Sequence, residues 1–116
     1  LINAQDYWND LISIAEADLA KTETADVALC AYKFAVLEMY KNVAWFTEKG
    51  ITKEQFNNQL NTLETYTNGV KDSTSYDKRN DDDIEQVLSA INQTRDLLNG
   101  ESTAIDAVSE ETAGEQ

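Results

Sequence analysis

The sequence predicts an all-α fold: a four-helix up-down bundle with an acidic, partly helical C-terminal tail. Three observations carry that expectation. The 116 residues include no proline and four glycines, so the two strongest helix breakers are scarce. Apolar residues recur at three- and four-residue steps in four separate stretches, as one face of a helix requires. No alternating Val/Ile/Thr run marks an exposed sheet. At 41% hydrophobic, a chain of this length can bury a core without disulfides or metal. One domain is expected, with residues 1–100 as the bundle and 101–116 as the tail.

The first helix is expected over residues 3–21. Ala4, Tyr7, Trp8, Leu11, Ile14, Ala15 and Leu19 share a face, with Asn3 as N-cap and Asp6 in the first turn, where negative charge is favoured. The second, over residues 24–49, is the most apolar. Its charged strip of Asp26, Lys33, Lys41 and Glu48 is narrow, which suits a central helix or one that packs partly on another chain. Gly50 is its stop signal. The third helix opens at Thr52 with Gln55 completing a capping box, and carries a stripe of Phe56, Leu60, Leu63 and Tyr66 or Thr67. Asn68-Gly69 is expected to end it, Gly69 taking a positive φ.

Residues 71–80 lack helical periodicity and read as a polar loop. The fourth helix is expected over residues 81–99, with Ile84, Val87, Leu88, Ile91, Thr94 and Leu98 inward. Beyond Gly100, the residues Ala104, Ile105, Ala107 and Val108 suit one or two further turns, with Ser102 or Thr103 as cap. The link at Gly50-Ile51 is short enough to make the second and third helices antiparallel neighbours.

Charge excludes some functions. Nine basic residues stand against 22 acidic ones, a net charge of −13. Direct nucleic-acid binding needs a basic footprint, and anionic membrane surfaces repel such a chain. No stretch approaches the roughly 20 apolar residues of a membrane span, and no signal peptide is visible at the first residues. The expected compartment is the cytoplasm, to which a single unpaired cysteine is also suited.

Missing residue types narrow the chemistry further. Without histidine there is no Ser-His-Asp or Cys-His catalysis, no HExxH zinc site and no Glu-x-x-His di-iron pattern. No glycine-rich loop is available to cradle phosphate. Asp77, Asp81, Asp82, Asp83 and Glu85 cluster, but the EF-hand spacing fails, and acidic residues are favoured at a helix N-terminus in any case. Lys78-Arg79 reads as a basic island pairing locally with Asp77 and Asp81. Cys30 lies in the apolar run of the second helix and reads as a small buried hydrophobe. No catalytic residue, metal or cofactor is expected.

Aromatic residues are the remaining candidates. Tyr7-Trp8 and Trp45-Phe46 are adjacent pairs, and neighbours on a helix point about 100° apart, so both members cannot face one point of a core. Tyr32, Phe34 and Tyr40 add to the load. Tyr7, Trp8, Tyr40, Trp45 and Phe46 therefore mark either a wide core or an interaction patch for a partner protein or a second copy. On the second reading, alanine at Trp8 or Trp45 would weaken a complex more than it weakens folding. The leading expectation is a non-enzymatic interaction or assembly module. The alternative is a charge-mimic inhibitor, of the kind phages and mobile elements use, that occupies a basic nucleic-acid-binding protein with the acidic surface of Asp77, Asp81, Asp82, Asp83 and Glu85.

Overall fold

The computed structural model describes residues 3–16 and 24–100. The described residues form α1 (Ala4–Ala15), α2 (Ala25–Lys41), α3 (Val43–Glu48), α4 (Lys53–Gly69) and α5 (Asn80–Leu98), with a 3₁₀ turn at Val70–Asp72. The all-helical class is as the sequence predicts. The expected continuation of the first helix past residue 16, and the tail with Ala104, Ile105, Ala107 and Val108, lie outside the described residues.

Local chemistry starts these helices where the sequence places the starts. Asn3 Oδ1 accepts from the Asp6 amide at 3.1 Å, and Thr24 Oγ1 accepts from the Val27 amide at 3.2 Å. Each satisfies one of the four amides that a helix start leaves without an internal partner. At α4 both halves of the capping box form: Gln55 N donates to Thr52 Oγ1, and Thr52 N donates to Gln55 Oε1, each at 3.0 Å.

One boundary and one glycine conformation differ from expectation. The predicted second helix is two helices, because it breaks at Asn42, whose φ of −116° and ψ of 20° leave the helical region. The Asn42 side chain donates back to the Glu38 carbonyl at 2.7 Å, a local bond of the kind by which asparagine competes with the backbone ladder. Beyond the break, Phe46 of α3 is fully buried against Trp8 and Phe56. Gly69 ends α4 as expected, but without the expected positive φ. Its φ is −68°, and the chain continues through it into the 3₁₀ turn. Positive φ occurs instead at Gly50 (103°) and Gly100 (78°), where a side chain would strain the backbone.

Helix α2 organises the core, packing on α1, α4 and most extensively on α5. Its buried residues, Ala25, Ala28, Leu29, Tyr32, Ala35, Val36 and Met39, meet Leu11 and Trp8 of α1, Phe56, Leu60 and Leu63 of α4, and Ile84, Val87 and Ile91 of α5 in one cluster. Asn80 Nδ2 donates to Asp26 Oδ1 at 2.5 Å and Lys33 Nζ to Gln86 Oε1 at 2.6 Å. Both pairings rise together in number, so α2 and α5 run in the same sense. Among the described residues, no helix is long and apolar enough to cross a membrane.

Candidate functional site

The circumference of α2 that the core does not use is also apolar. Val27, Cys30, Phe34 and Leu37 follow steps of three, four and three, which confines them to an arc of about 80° at 100° per residue. Val27 is 50% exposed, Phe34 46% and Leu37 38%; Cys30 is exposed and Ala31 partly so. Charge enters that arc only at its C-terminal end, where Lys41 and Glu38 pair at 2.9 Å. On one side α5 closes on α2 through Lys33 and Asp26; on the other α1 does so through the Tyr7 hydroxyl, which donates to Glu38 Oε1 at 2.5 Å. Between those two seams the ridge stands open among the described residues. An open groove of about 450 Å³ runs beside it, lined by Lys33, Leu37, Glu85, Gln86, Ser89, Ala90 and Gln93.

Three large side chains left about half exposed forgo roughly 3 kcal/mol of burial, taking 1.5–3 kcal/mol for a full side chain. That is about a hundredfold in binding affinity if a partner covers them. Cys30 belongs to this ridge and is not the buried hydrophobe that its apolar surroundings in the sequence suggest. An apolar run shows that a helix is apolar all round; it does not show which arc its neighbours cover.

The aromatic candidates divide. Trp8 is 2% exposed and Phe46 fully buried, with rings edge-on at 5.3 Å and Trp8 also edge-on to Phe56 at 4.8 Å. Both are core, so neither offers an interaction surface, and Trp8→Ala acts on folding. Tyr40 is half-buried on α2. Tyr7 and Trp45 are half-buried and brought together, their centroids 6.3 Å apart and their planes tilted by 50°. With Glu38 and Asn42 they line a cavity of about 360 Å³ at the α2–α3 break. The Tyr7 hydrogen bond to Glu38, followed by burial and the Glu38 charge, pushes the Tyr7 phenol up to about 12. The same bond, followed by the one from Lys41, holds the Glu38 carboxyl below its usual range.

The acidic cluster serves the start of α5. Asp77 Oδ1 accepts from the Arg79 amide at 2.8 Å, and Asp77 Oδ2 accepts from Arg79 Nη2 at 2.9 Å, which holds the Asp77 carboxyl below its usual range. Asp81 accepts from the Tyr76 hydroxyl, and that bond raises the phenol. Asp82 and Glu85 are exposed and Asp83 is half-buried. No group of three or more His, Cys, Asp or Glu among the described residues is placed to hold a metal ion.

Two anchors of this region escape a reading by spacing. Buried Asn80 accepts from the Asp77 amide at 3.0 Å while it donates to Asp26, and Ser75 Oγ accepts from the Ala25 amide at 2.7 Å. Their partners on α2 lie 50 or more residues away in sequence. The only local signal was a polar asparagine ahead of an acidic helix start. Compared with protein-family models, curated proteins and solved structures, the chain matches none.

Proposed function

We propose that this chain is a non-enzymatic protein-interaction module. It docks an amphipathic helix with basic flanks, carried by a partner protein, on the open face of α2. We read the scaffold as an up-down bundle of four arms, with α2 and α3 as one bent arm. The observation that carries the proposal is the uncharged ridge of Val27, Cys30, Phe34 and Leu37. Its length, ten residue steps from Val27 to Leu37, is about 15 Å at 1.5 Å per step, enough for two to three turns of one apposed helix. A stable interface between globular surfaces covers about 800 Å² per partner, whereas the large apolar side chains of this ridge, Val27, Phe34 and Leu37, are each half exposed or less. The net charge of −13 repels a second copy and attracts basic flanks.

The test is a titration of the full chain with a synthetic Leu/Lys helix of heptad spacing, followed by amide chemical shifts. Saturable changes confined to the outer face of α2 are expected, with loss of binding in Phe34→Asp/Leu37→Asp. A response spread over the acidic side chains and abolished by 0.3 M salt would remove the docking reading. It would favour the charge mimic instead, for which the exposed Asp82 and Glu85 at the start of α5 are the supporting feature. A concentration-dependent dimer dispersed by the same double substitution would make the occupant a second copy.

A further inference from the structure

We propose that the cavity at the α2–α3 break is a binding site for an organic cation, an alkylguanidinium or alkylammonium group. The rings of Tyr7 and Trp45 pack side by side, centroids 6.3 Å apart and planes tilted by 50°, so both contribute aromatic surface to the cavity, and Glu38 and Asn42 complete the lining. A cation within about 6 Å of a ring centroid is attracted by the face of the ring, most strongly by tryptophan. A volume of about 360 Å³ takes a group of this size with part of its chain.

The carboxylate gives the site its sign. Glu38 is only 18% exposed and keeps its charge because the Tyr7 hydroxyl donates to Oε1 at 2.5 Å and Lys41 Nζ approaches Oε2 at 2.9 Å. The chain's own ammonium therefore already shows that Oε2 accepts a cation. Lys41 is 65% exposed, and exposed pairs of this kind contribute little, so its ammonium yields readily to a competitor. An anion would meet Glu38 directly, and a neutral ligand would leave the carboxylate without a new partner. The net charge of −13 raises the local concentration of cations around the whole molecule.

The site is assembled from three elements where α2 gives way to α3: Tyr7 of α1, Glu38 of α2 and Trp45 of α3. Trp45 lies seven residues after Glu38, close to the same side of the helical path, and its ring lies beside that of Tyr7. None of Val27, Cys30, Phe34 or Leu37 takes part, so the cation site stands or falls separately from helix docking on α2.

The experiment is an NMR titration of the full chain with N-methylguanidinium chloride, followed at the Trp45 indole N–H, with sodium chloride at equal ionic strength as reference. The expected result is a saturable shift of Trp45 and a still signal from buried Trp8. Glu38→Gln and Trp45→Leu are each expected to weaken binding by roughly fivefold or more, the scale of a partly desolvated cation–π contact. Lys41→Gln, which removes the internal competitor from an exposed position, is expected to tighten binding, and it keeps the test informative should Trp45→Leu unfold the chain. A shift that only tracks ionic strength, or Glu38→Gln binding like the parent, would overturn the site. An arginine tripeptide amide distinguishes the sources: tighter binding than N-methylguanidinium assigns the cation to a partner's side chain, and equal binding assigns it to a free small cation.

Discussion

Tyr7 and Glu38 share one short hydrogen bond, and the same bond moves their acidities in opposite directions. The Tyr7 pKa rises from 10.0 to about 12, so its stabilisation is complete below pH 10 and is lost as pH climbs through about 12. The Glu38 pKa falls from 4.5, so its stabilisation is complete above that value and is lost as pH drops through the lower folded value. The pair therefore stabilises the fold across the interval between. Tyr7→Phe keeps the ring that packs on Phe46 and Trp45 and removes only the donor. It is expected to cost about 1 kcal/mol at pH 7 and to move the acid limb upward in pH as Glu38 returns toward its ordinary value. Urea denaturation of parent and variant at pH 3 to 7 measures this, and coincident acid limbs would refute it. The alkaline limb is the poorer diagnostic, because Asp81 raises the Tyr76 phenol as well. Cys30 gives a second prediction at this scale. An exposed thiol should react with Ellman's reagent in native buffer at a rate near that of a free thiol. Reaction only after denaturation would mean that the α2 ridge is covered in solution. The sequence could not reveal this exposure, since Cys30 is flanked by Leu29 and Ala31 and reads as interior from either side.

The starts of α1, α2 and α4 were legible in the sequence, because a cap is a short-range device: a side-chain oxygen three residues from the amide it satisfies. At α4 the geometry makes a sharp prediction. Thr52→Ala removes the acceptor of the Gln55 amide and should cost about 1 kcal/mol, whereas Thr52→Ser should cost little. A lower denaturation midpoint at unchanged slope is the expected signature. If Thr52→Ala is neutral, the box is not stabilising α4, and the turn is held by the burial of Ile51 and by the bond from its amide to the Phe46 carbonyl at 2.9 Å. The break at Asn42 was not legible, for a physical reason. Val43, Ala44, Trp45 and Phe46 continue an apolar run, and asparagine is only modestly disfavoured inside a helix. What accompanies the break is a local bond, from Asn42 Nδ2 to the Glu38 carbonyl, and beyond it Phe46 stays fully buried beside Trp8 and Phe56. Just past the break, Trp45 lies beside Tyr7 in the candidate cation site. Sequence spacing named both residues but neither their meeting nor the part of Glu38.

At the scale of the whole molecule, charge sets the remaining prediction. Attractive pairs exist, such as Arg79 with Asp77 and Arg95 with Glu64 at 2.7 Å, but 22 acidic residues outnumber nine basic ones. Most carboxylates therefore have no cationic neighbour to spare. At 10 mM salt the Debye length is about 30 Å, twice the radius of gyration of 14.8 Å, so every carboxylate feels nearly every other. At 0.15 M it falls to about 8 Å, and the long-range repulsion is screened while close pairs such as Arg95–Glu64 largely persist. Net repulsion acts against the compact state, and the unfolded chain relieves it by spreading its charges apart. Added sodium chloride is therefore expected to raise the melting temperature between 10 mM and 0.15 M, with most of the rise complete by 0.15 M. Scanning calorimetry or circular dichroism measures it. A falling melting temperature would mean that attractive pairs outweigh the excess of carboxylates. The same screening separates the two modes of partner binding: docking on α2 draws on apolar burial and persists in salt, whereas attraction of a basic surface to the carboxylates fades on the same Debye scale.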